Sequence, residues 1–231
     1  MKKIGHIYPW RENNQFELLI DAEVFYPRML QAIEQARSAI LLEMYLFESG
    51  HAANEFIEVL IDAARRGVKV QALLDDFGCR KLSAYDRHRL QDNGVELRFY
   101  NPVYIFRWFE FRWLENLARD HRKLLLIDGQ EAFIGGAGIT DEFLPQRHKE
   151  RAWRETMVSA HGPVVKDWCH LFRQLWPDSE GKTTKPSSTG NMEGRLASST
   201  GYFANDIRRS VVKHIRSAEQ RVWFCTAYFV P

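Results

Sequence analysis

The sequence predicts an α/β fold in which helices pack against the faces of a sheet. Segments with apolar residues at helical spacing alternate with short apolar runs that suit buried strands. The alternation continues through most of the 231 residues, and 45% of them are hydrophobic, which is enough for a domain-sized core. Alternating helices and strands are typical of a layered α/β domain.

The first half of the chain alternates regularly between helix and strand. In order, the sequence predicts a helix over 25–37, a strand over 40–47, a helix over 51–66, a strand over 68–75, a short helix over 83–94 and a strand over 95–100. In the second helix, Phe56 and Leu60 recur at helical spacing, and Gly67 supplies a stop. Ser83 and Asp86 form a capping-box pattern at the start of the short helix.

The second half continues with a hairpin, a strand and a helix. An apolar strand over residues 123–127 is followed by the dipeptide Asp128-Gly129, which is typical of a hairpin turn. A strand near Thr156 and a helix over 164–176, ended by Pro177, complete this part of the chain.

The motif with the most direct chemical meaning is HxKxxxxD, over residues 121–128. Because side chains alternate along a strand, His121 and Lys123 point to the same face. An imidazole beside an ammonium can attack a phosphodiester, with the ammonium stabilising the non-bridging oxygens. The alternative is an ordinary strand with a polar start. Asp128 has two interpretations, a catalytic member of the motif or a structural residue of the turn.

This motif, followed by Gly135-Gly136, resembles the HKD signature of the phospholipase D superfamily. Four further segments resemble its bacterial cardiolipin synthase branch: Trp10-Arg11-Glu12, residues 40–47, residues 70–78, and residues 153–156 with 162–165. The resemblance covers nearly all of residues 10–176. One position departs from it, because the family usually has Asn where this chain has Gly138.

The resemblance implies a layered α/β/α sandwich with a mixed β-sheet, forming one complete lobe of a two-lobe protein. Residues 1–177 would form this first lobe. Residues 178–193 are polar and rich in Ser, Thr and Gly, which predicts a flexible linker. Residues 194–231 would begin a second, truncated lobe. A weak internal repeat supports this, since one shift places identical residues together: Ile33 with Ile215, Ala36 with Ala218 and Phe47 with Phe229.

The activity implied by the resemblance is that of a cardiolipin synthase-type phosphatidyltransferase. It would transfer a phosphatidyl group to phosphatidylglycerol through a phosphohistidine at His121. Family arrangements mostly need two facing HKD motifs, so this chain would be inactive without a second lobe or a homodimer partner. Hydrolysis by water, as in a phospholipase D or an endonuclease, is an alternative that sequence does not separate from transfer. A non-catalytic membrane-binding lobe, which Gly138 favours, is another.

Four further residues are candidates for the site. Glu155 is expected to fix the tautomer of His121, since it matches the acidic residue of the family's Trp-Arg-acid triplet; alternatively it is a surface residue. Glu43 lies among apolar residues, and either orients site residues or faces solvent. Gly135 and Gly136 are expected to let backbone N–H groups approach a phosphate, although such glycines are often only a turn.

The segment before the motif is a candidate for contact with a membrane. Eight of the fifteen residues from Phe99 to Trp113 are aromatic, and arginines are interleaved with them. Such a mixture suits a bilayer interface, with the following residues in contact: Phe106, Trp108, Phe109 and Trp113. The alternative is that these rings pack in the core or against the second lobe.

Composition excludes several other classes. A net charge of +2 gives little support for a nucleic-acid partner. The three cysteines lack CxxC spacing and predict reduced thiols, and no histidine pair has metal-ligand spacing, so neither a metal nor a cofactor is expected. No signal segment and no run of ~20 apolar residues is present. A peripheral position on the cytoplasmic side of the bacterial inner membrane is therefore expected, with phosphatidylglycerol as the phospholipid substrate.

Overall fold

The computed structural model describes residues 7–102, 119–176, 178, 187–200 and 204–223. The chain divides into two compact units. The larger comprises residues 11–194, and the smaller combines residues 1–10 with 195–231. The first ten residues, assigned to the first lobe from sequence, are thus grouped with the C-terminal segment.

The larger unit contains eight strands and five α-helices within its described residues. The strands are β1 (Arg11–Ile20), β2 (Ala39–Met44), β3 (Lys69–Asp75), β4 (Glu96–Tyr100), β5 (Lys123–Ile127), β6 (Glu131–Gly135), β7 (Thr156–His161) and β8 (Met192–Gly194). The helices are α1 (Ala22–Gln35), α2 (His51–Arg65), α3 (Ala84–Asp92), α4 (Pro145–His148) and α5 (Val165–Arg173). The described part of the smaller unit contains β9 (Ser199–Thr200), β10 (Ala204–Asn205) and α6 (Asp206–Ser217).

The eight strands of the larger unit form one mixed sheet. Its order is β4-β3-β2-β5-β6-β7-β1-β8. The pairs β2–β3 and β3–β4 are parallel, whereas β5 runs antiparallel to β2 and begins the antiparallel half. One face carries the core formed with α1 and α2, and the other carries the core formed with α5. The predicted α/β/α sandwich with a mixed sheet is therefore confirmed.

Helix periodicity explains which residues reach the larger core. On α1, Phe25, Met29 and Ile33 follow one another four residues apart, and each is at most 1% exposed. The N-terminus of α3 has the predicted cap, because the Ser83 hydroxyl accepts a hydrogen bond from the Asp86 N–H. The predicted helix over 25–37 instead begins at Ala22 and ends at Gln35.

Two features of the sheet edge were not predicted. The strand β1 has a largely polar sequence, so it carried no hydrophobic pattern that would reveal it. The end of the predicted linker, Met192 with Glu193, lies in β8, because β1 offers unpaired backbone groups along which this segment adds a strand. Gly190 also donates its N–H to the Asn13 carbonyl oxygen. Residues 192 and 193, at the end of the predicted linker, thus lie in the sheet.

Candidate active site

The candidate site lies where β2 ends and β5 begins. In the ladder between these strands, Lys123 is paired with Met44. The ladder continues beyond both strands, since the Tyr45 N–H donates to the Arg122 carbonyl oxygen at 3.0 Å. Just beyond the paired residues, the ring of Tyr45 lies against that of His121, with 4.3 Å between their centroids. The exposed imidazole of His121 therefore lies just before the start of β5, whose residues are all buried.

The ammonium of Lys123 contacts the imidazole of His121 directly. Its Nζ lies 3.0 Å from Nδ1 and 2.9 Å from the carbonyl oxygen of the same histidine. Burial lowers the pKa of Lys123 to about 8, against the opposing charges of Asp120 and Glu155. Partial burial, followed by the charge of Lys123, lowers the pKa of His121. The imidazole is therefore neutral at about pH 7, the state a nucleophile needs.

Tyr45 is a site residue that the sequence did not reveal. Its ring contacts His121 and lies 5.0 Å from Nζ of Lys123, within the range of a cation–π interaction. An aromatic residue after an apolar strand is usually part of a core. Only the pairing of β2 with β5 shows which side chains it meets.

Glu155 lies beside Lys123. Its Oε1 accepts a hydrogen bond from the Thr156 N–H at 2.8 Å, and its negative charge raises the pKa of Lys123. Among the residues that the structure describes, no hydrogen bond joins Glu155 to His121. The carboxylate is thus placed to act on the lysine of the pair.

Close contacts with neighbouring residues explain the two glycines at the end of β6, Gly135 and Gly136. A Cβ on Gly136 would lie 2.0 Å from Oε2 of Glu155, and a Cβ on Gly135 would lie 2.3 Å from Sδ of Met157. The absence of a side chain at Gly136 is therefore what lets the carboxylate of Glu155 approach the site. A contact of these glycines with phosphate stays a prediction.

The packing around Gly138, where the family usually has Asn, leaves no room for a side chain. A Cβ there would lie 2.6 Å from both the Cβ and the carbonyl oxygen of Leu46. The carbonyl oxygen of Gly138 in turn accepts a hydrogen bond from the Tyr26 hydroxyl at 2.8 Å. The family's Asn would not fit at this position unless the end of β2 moved.

Asp128 lies at the opposite end of β5 from the histidine. Five residues of strand separate it from Lys123 by about 16 Å. Its carboxylate accepts hydrogen bonds from the N–H groups of Arg37, Ser38 and Ala39 at 2.7–2.9 Å. Burial opposes ionisation of Asp128, but these hydrogen bonds prevail and lower its pKa. The structure thus brings His121, Lys123 and Glu155 together and leaves Asp128 apart.

The remaining sequence predictions concern contact with a membrane and the binding of a metal. The proposed membrane-contact residues lie outside the described residues: Phe106, Trp108, Phe109 and Trp113. Within the described ranges, no helix is both long and apolar enough to cross a membrane. The same part of the chain contains no group of three His, Cys, Asp or Glu side chains arranged to hold a metal ion.

The mixed sheet, the His–Lys pair of HxKxxxxD at one strand end and the adjacent glycine pair define a phospholipase D-like domain. Solved structures show the same fold. The phospholipase D family member Nuc from Salmonella typhimurium aligns with a TM-score of 0.54 and 17% identity, over 74% of this chain and 99% of that one. NucT from Helicobacter pylori aligns with a TM-score of 0.52 and 12% identity, over 73% of this chain and 99% of that one.

The family is shown by sequence. The profile of the family described as "Cardiolipin synthase, PLD-like domain" matches residues 29–176, and the chain belongs to this family. It is 32% identical over 239 residues to cardiolipin synthase A of Pseudomonas putida (strain W619), and 28% identical over 249 residues to that of Pseudomonas syringae pv. syringae (strain B728a). Both alignments cover all of this chain and 48% of the relative, so the chain spans about half the length of the curated relatives it matches. The resemblance seen in the sequence is confirmed.

Proposed function

We propose that this chain is the first catalytic lobe of a cardiolipin synthase-type phosphatidyltransferase, which transfers a phosphatidyl group to phosphatidylglycerol. The observation that carries the proposal is the imidazole of His121 held 3.0 Å from Nζ of Lys123, in a chain of this family. A nucleophile and a fixed positive charge are the two groups that displacement at a phosphodiester requires on one side of the phosphorus.

The proposed reaction has two displacements. His121 attacks the phosphorus, a P–N bond forms, and the P–O bond to the departing alcohol breaks. A second histidine protonates that alcohol and then takes the proton of the incoming hydroxyl. The new P–O bond forms as the P–N bond breaks, which releases the product and restores His121.

Lys123 would stabilise the charge that develops on the non-bridging oxygens. With a pKa of about 8, it is protonated in about nine molecules of ten at about pH 7. Its low exposure of 7% keeps the charge in a poorly solvated setting, where it acts more strongly than in water. Glu155 would support this ammonium, and the backbone at Gly135 and Gly136 would approach the phosphate. Asp128 would be structural.

The second histidine would come from a second lobe or from a homodimer partner. His121 serves as the nucleophile and is not also available to protonate the leaving alcohol. This chain contains one HxKxxxxD motif. We therefore propose that it is inactive alone, and that the complete protein acts peripherally on the cytoplasmic side of the inner membrane, with the segment around Trp108 and Trp113 at the lipid surface.

The experiment is a product analysis with the full-length protein. The protein is incubated with phosphatidylglycerol vesicles and the lipids are resolved by mass spectrometry. We expect cardiolipin and glycerol from the wild type and from His88→Ala, a control at an exposed histidine on α3, and no product from His121→Ala. Phosphatidic acid as the main product would replace transfer by hydrolysis. Product formation by His121→Ala at the wild-type rate would contradict the role of His121.

A further inference from the structure

A buried group of charged side chains lies behind the candidate site, on the other face of the sheet. Because Lys123 is paired with Met44, the preceding residues Arg122 and Glu43 project to the opposite face. The group has five members: Glu43, Asp75, Arg119, Asp120 and Arg122. Its three carboxyl residues are 0%, 1% and 7% exposed, in that order along the chain. Such deep burial makes the charge balance of the group decisive.

The contacts divide the group into two parts. Arg122 donates from Nη1 to Oε1 of Glu43 at 2.8 Å, and its Nε lies 3.7 Å from Oδ1 of Asp120. Arg119 lies 3.7 Å from Oδ1 of Asp75, whose Oδ2 accepts a hydrogen bond from the Asp120 N–H at 2.9 Å. The guanidinium of Arg119 therefore pairs with Asp75, and that of Arg122 contacts both Glu43 and Asp120.

The charges do not balance if every carboxyl group is ionised. Asp75 has Arg119 and further hydrogen bonds from the N–H groups of Phe77 and Gly78, so it is well suited to carry a charge. Among the described residues, Glu43 and Asp120 have a single guanidinium between them. The ammonium of Lys123, which also interacts with Asp120, is shared with Glu155. Oε2 of Glu43 is buried and has no hydrogen-bond partner among the described residues. One carboxylate of this pair is thus in excess.

We propose that Glu43 and Asp120 share one proton in the folded protein, and that this pair, clamped by Arg122, positions His121. A proton on one carboxyl group supplies the donor that two carboxylates facing each other lack. Burial raises the pKa of Glu43 well above its usual range, and the charge of Asp120 raises it further, while Arg122 opposes both effects. The strands beside Glu43 add no cation, since it is paired with Leu73 and Leu124. The nearby phenol of Tyr100 adds none either.

The connection to the site runs through the backbone. Asp120 and Arg122 flank His121, and their side chains are held on the buried face by the contacts described above. The N–H of Asp120 also donates a hydrogen bond to the carboxylate of Asp75. His121 must then project from the other face, toward Lys123 and Tyr45. The positioning role, unlike the shared proton, rests on the proposed function.

The shared proton is tested by unfolding in denaturant between about pH 5 and about pH 8. The unfolded chain releases this proton above the ordinary pKa of a carboxyl group, whereas the folded protein keeps it, so wild-type stability falls as pH rises. Glu43→Gln carries no such proton. We expect the ratio of the wild-type unfolding constant to that of Glu43→Gln to rise by up to about tenfold per pH unit. Parallel curves across this range would overturn the proposal.

Asp120→Asn provides a matched control for the same measurement. Without the charge of Asp120, the group has two carboxylates and two guanidinium groups, so one of the causes that raise the pKa of Glu43 is removed while burial remains. The ratio of the unfolding constants of Asp120→Asn and the double variant Glu43→Gln/Asp120→Asn should therefore change less steeply with pH than the ratio for the wild-type pair. A pH dependence as steep as in the wild-type pair would contradict proton sharing. Asp62→Asn, at an exposed residue, should parallel the wild type.

The positioning role is tested by steady-state kinetics. Glu43→Gln keeps an acceptor for Arg122 and a donor for Asp120, so it should retain most of the wild-type kcat. Glu43→Leu removes the clamp, and we expect kcat to fall by about 10- to 100-fold with little change in KM. If Glu43→Leu does not fold, Arg122→Lys replaces it in the test. This change keeps the positive charge but loses the simultaneous contact with Glu43 and Asp120, so it should reduce kcat in the same way. A wild-type kcat in the folded variants would overturn the positioning role. Inactivity of the wild type on phosphatidylglycerol would overturn the proposed function and leave the unfolding test intact.

Discussion

Among single residues, Lys123 has the strongest influence on the proposed chemistry. It is almost completely buried, its ammonium contacts the imidazole of His121, and the carboxylate of Glu155 acts on it from the other side. Burial weakens the basicity of both members of the pair, which leaves the histidine neutral and the lysine still charged at about pH 7. The pair therefore has a limited pH range in which both groups are in the required state.

That range predicts a bell-shaped pH profile of kcat/KM for the full-length protein. Activity should rise through the lowered pKa of His121, below the ordinary value, as the imidazole loses its proton. It should fall near about pH 8, as Lys123 loses its charge. Lys123→Arg keeps its proton at these pH values, so any activity it retains should not fall there. An unchanged alkaline limb in Lys123→Arg would assign that limb to another group.

At the level of elements, the two ends of the strand β5 have different roles, one in the candidate site and one in holding a loop. The end at Lys123 meets the end of β2 and carries the site. At the other end, Asp128 adopts a left-handed conformation, with φ of 53°, and binds the backbone between α1 and β2. The last position of the HxKxxxxD pattern thus fastens a loop to the hairpin, while the first two form the His–Lys pair.

Asp128→Ala should destabilise the protein and spare its chemistry. The change leaves the N–H groups of Arg37, Ser38 and Ala39 without their acceptor, and because these groups are exposed or only partly buried, each lost hydrogen bond costs about 0.5–1.5 kcal/mol. Denaturant unfolding measures the loss, and kcat normalised to folded protein measures the chemistry. Loss of kcat as severe as in His121→Ala, in folded protein, would place Asp128 in the catalytic machinery after all.

Gly138→Asn, which installs the residue usual in the family, should lower stability. The new Cβ would lie 2.6 Å from the carbonyl oxygen of Leu46, so the loop after β6 and the end of β2 must separate. We expect a loss of about 1–3 kcal/mol, typical of overpacking, and a lower kcat because Tyr45 next to Leu46 also moves. Thermal unfolding and the phosphatidylglycerol assay measure the two effects. Higher activity at unchanged stability would show that the site lacks the amide.

For the molecule as a whole, the described part of the larger unit is an α/β/α sandwich, and residues 1–10 with 195–231 form the smaller unit. In the smaller unit, the helix α6 covers residues 206–217. The chain spans about half the length of each relative with which it aligns. In the proposed mechanism, a second lobe or a homodimer partner would supply the second histidine.

Local patterns in the sequence were sufficient for the fold class, for most helices and strands, and for the His–Lys pair. These depend on the spacing of residues within one element, which sets the face that each side chain occupies. The edge strand β1 was not predicted, because its polar sequence has no such pattern. The strand at Met192 was not predicted either, because a polar composition indicates a linker but does not show which strand pairs with it.

Tertiary contacts decided how the site is completed. Tyr45 reaches His121, and Arg122 reaches Glu43, only because β2 pairs with β5 across more than 70 residues of chain, a register that neither segment specifies alone. The same pairing separates Asp128 from the histidine with which it shares a motif. A motif fixes which residues are near in sequence, whereas burial, charge balance and hydrogen bonding depend on which strands become neighbours, and that is settled only when the sheet forms.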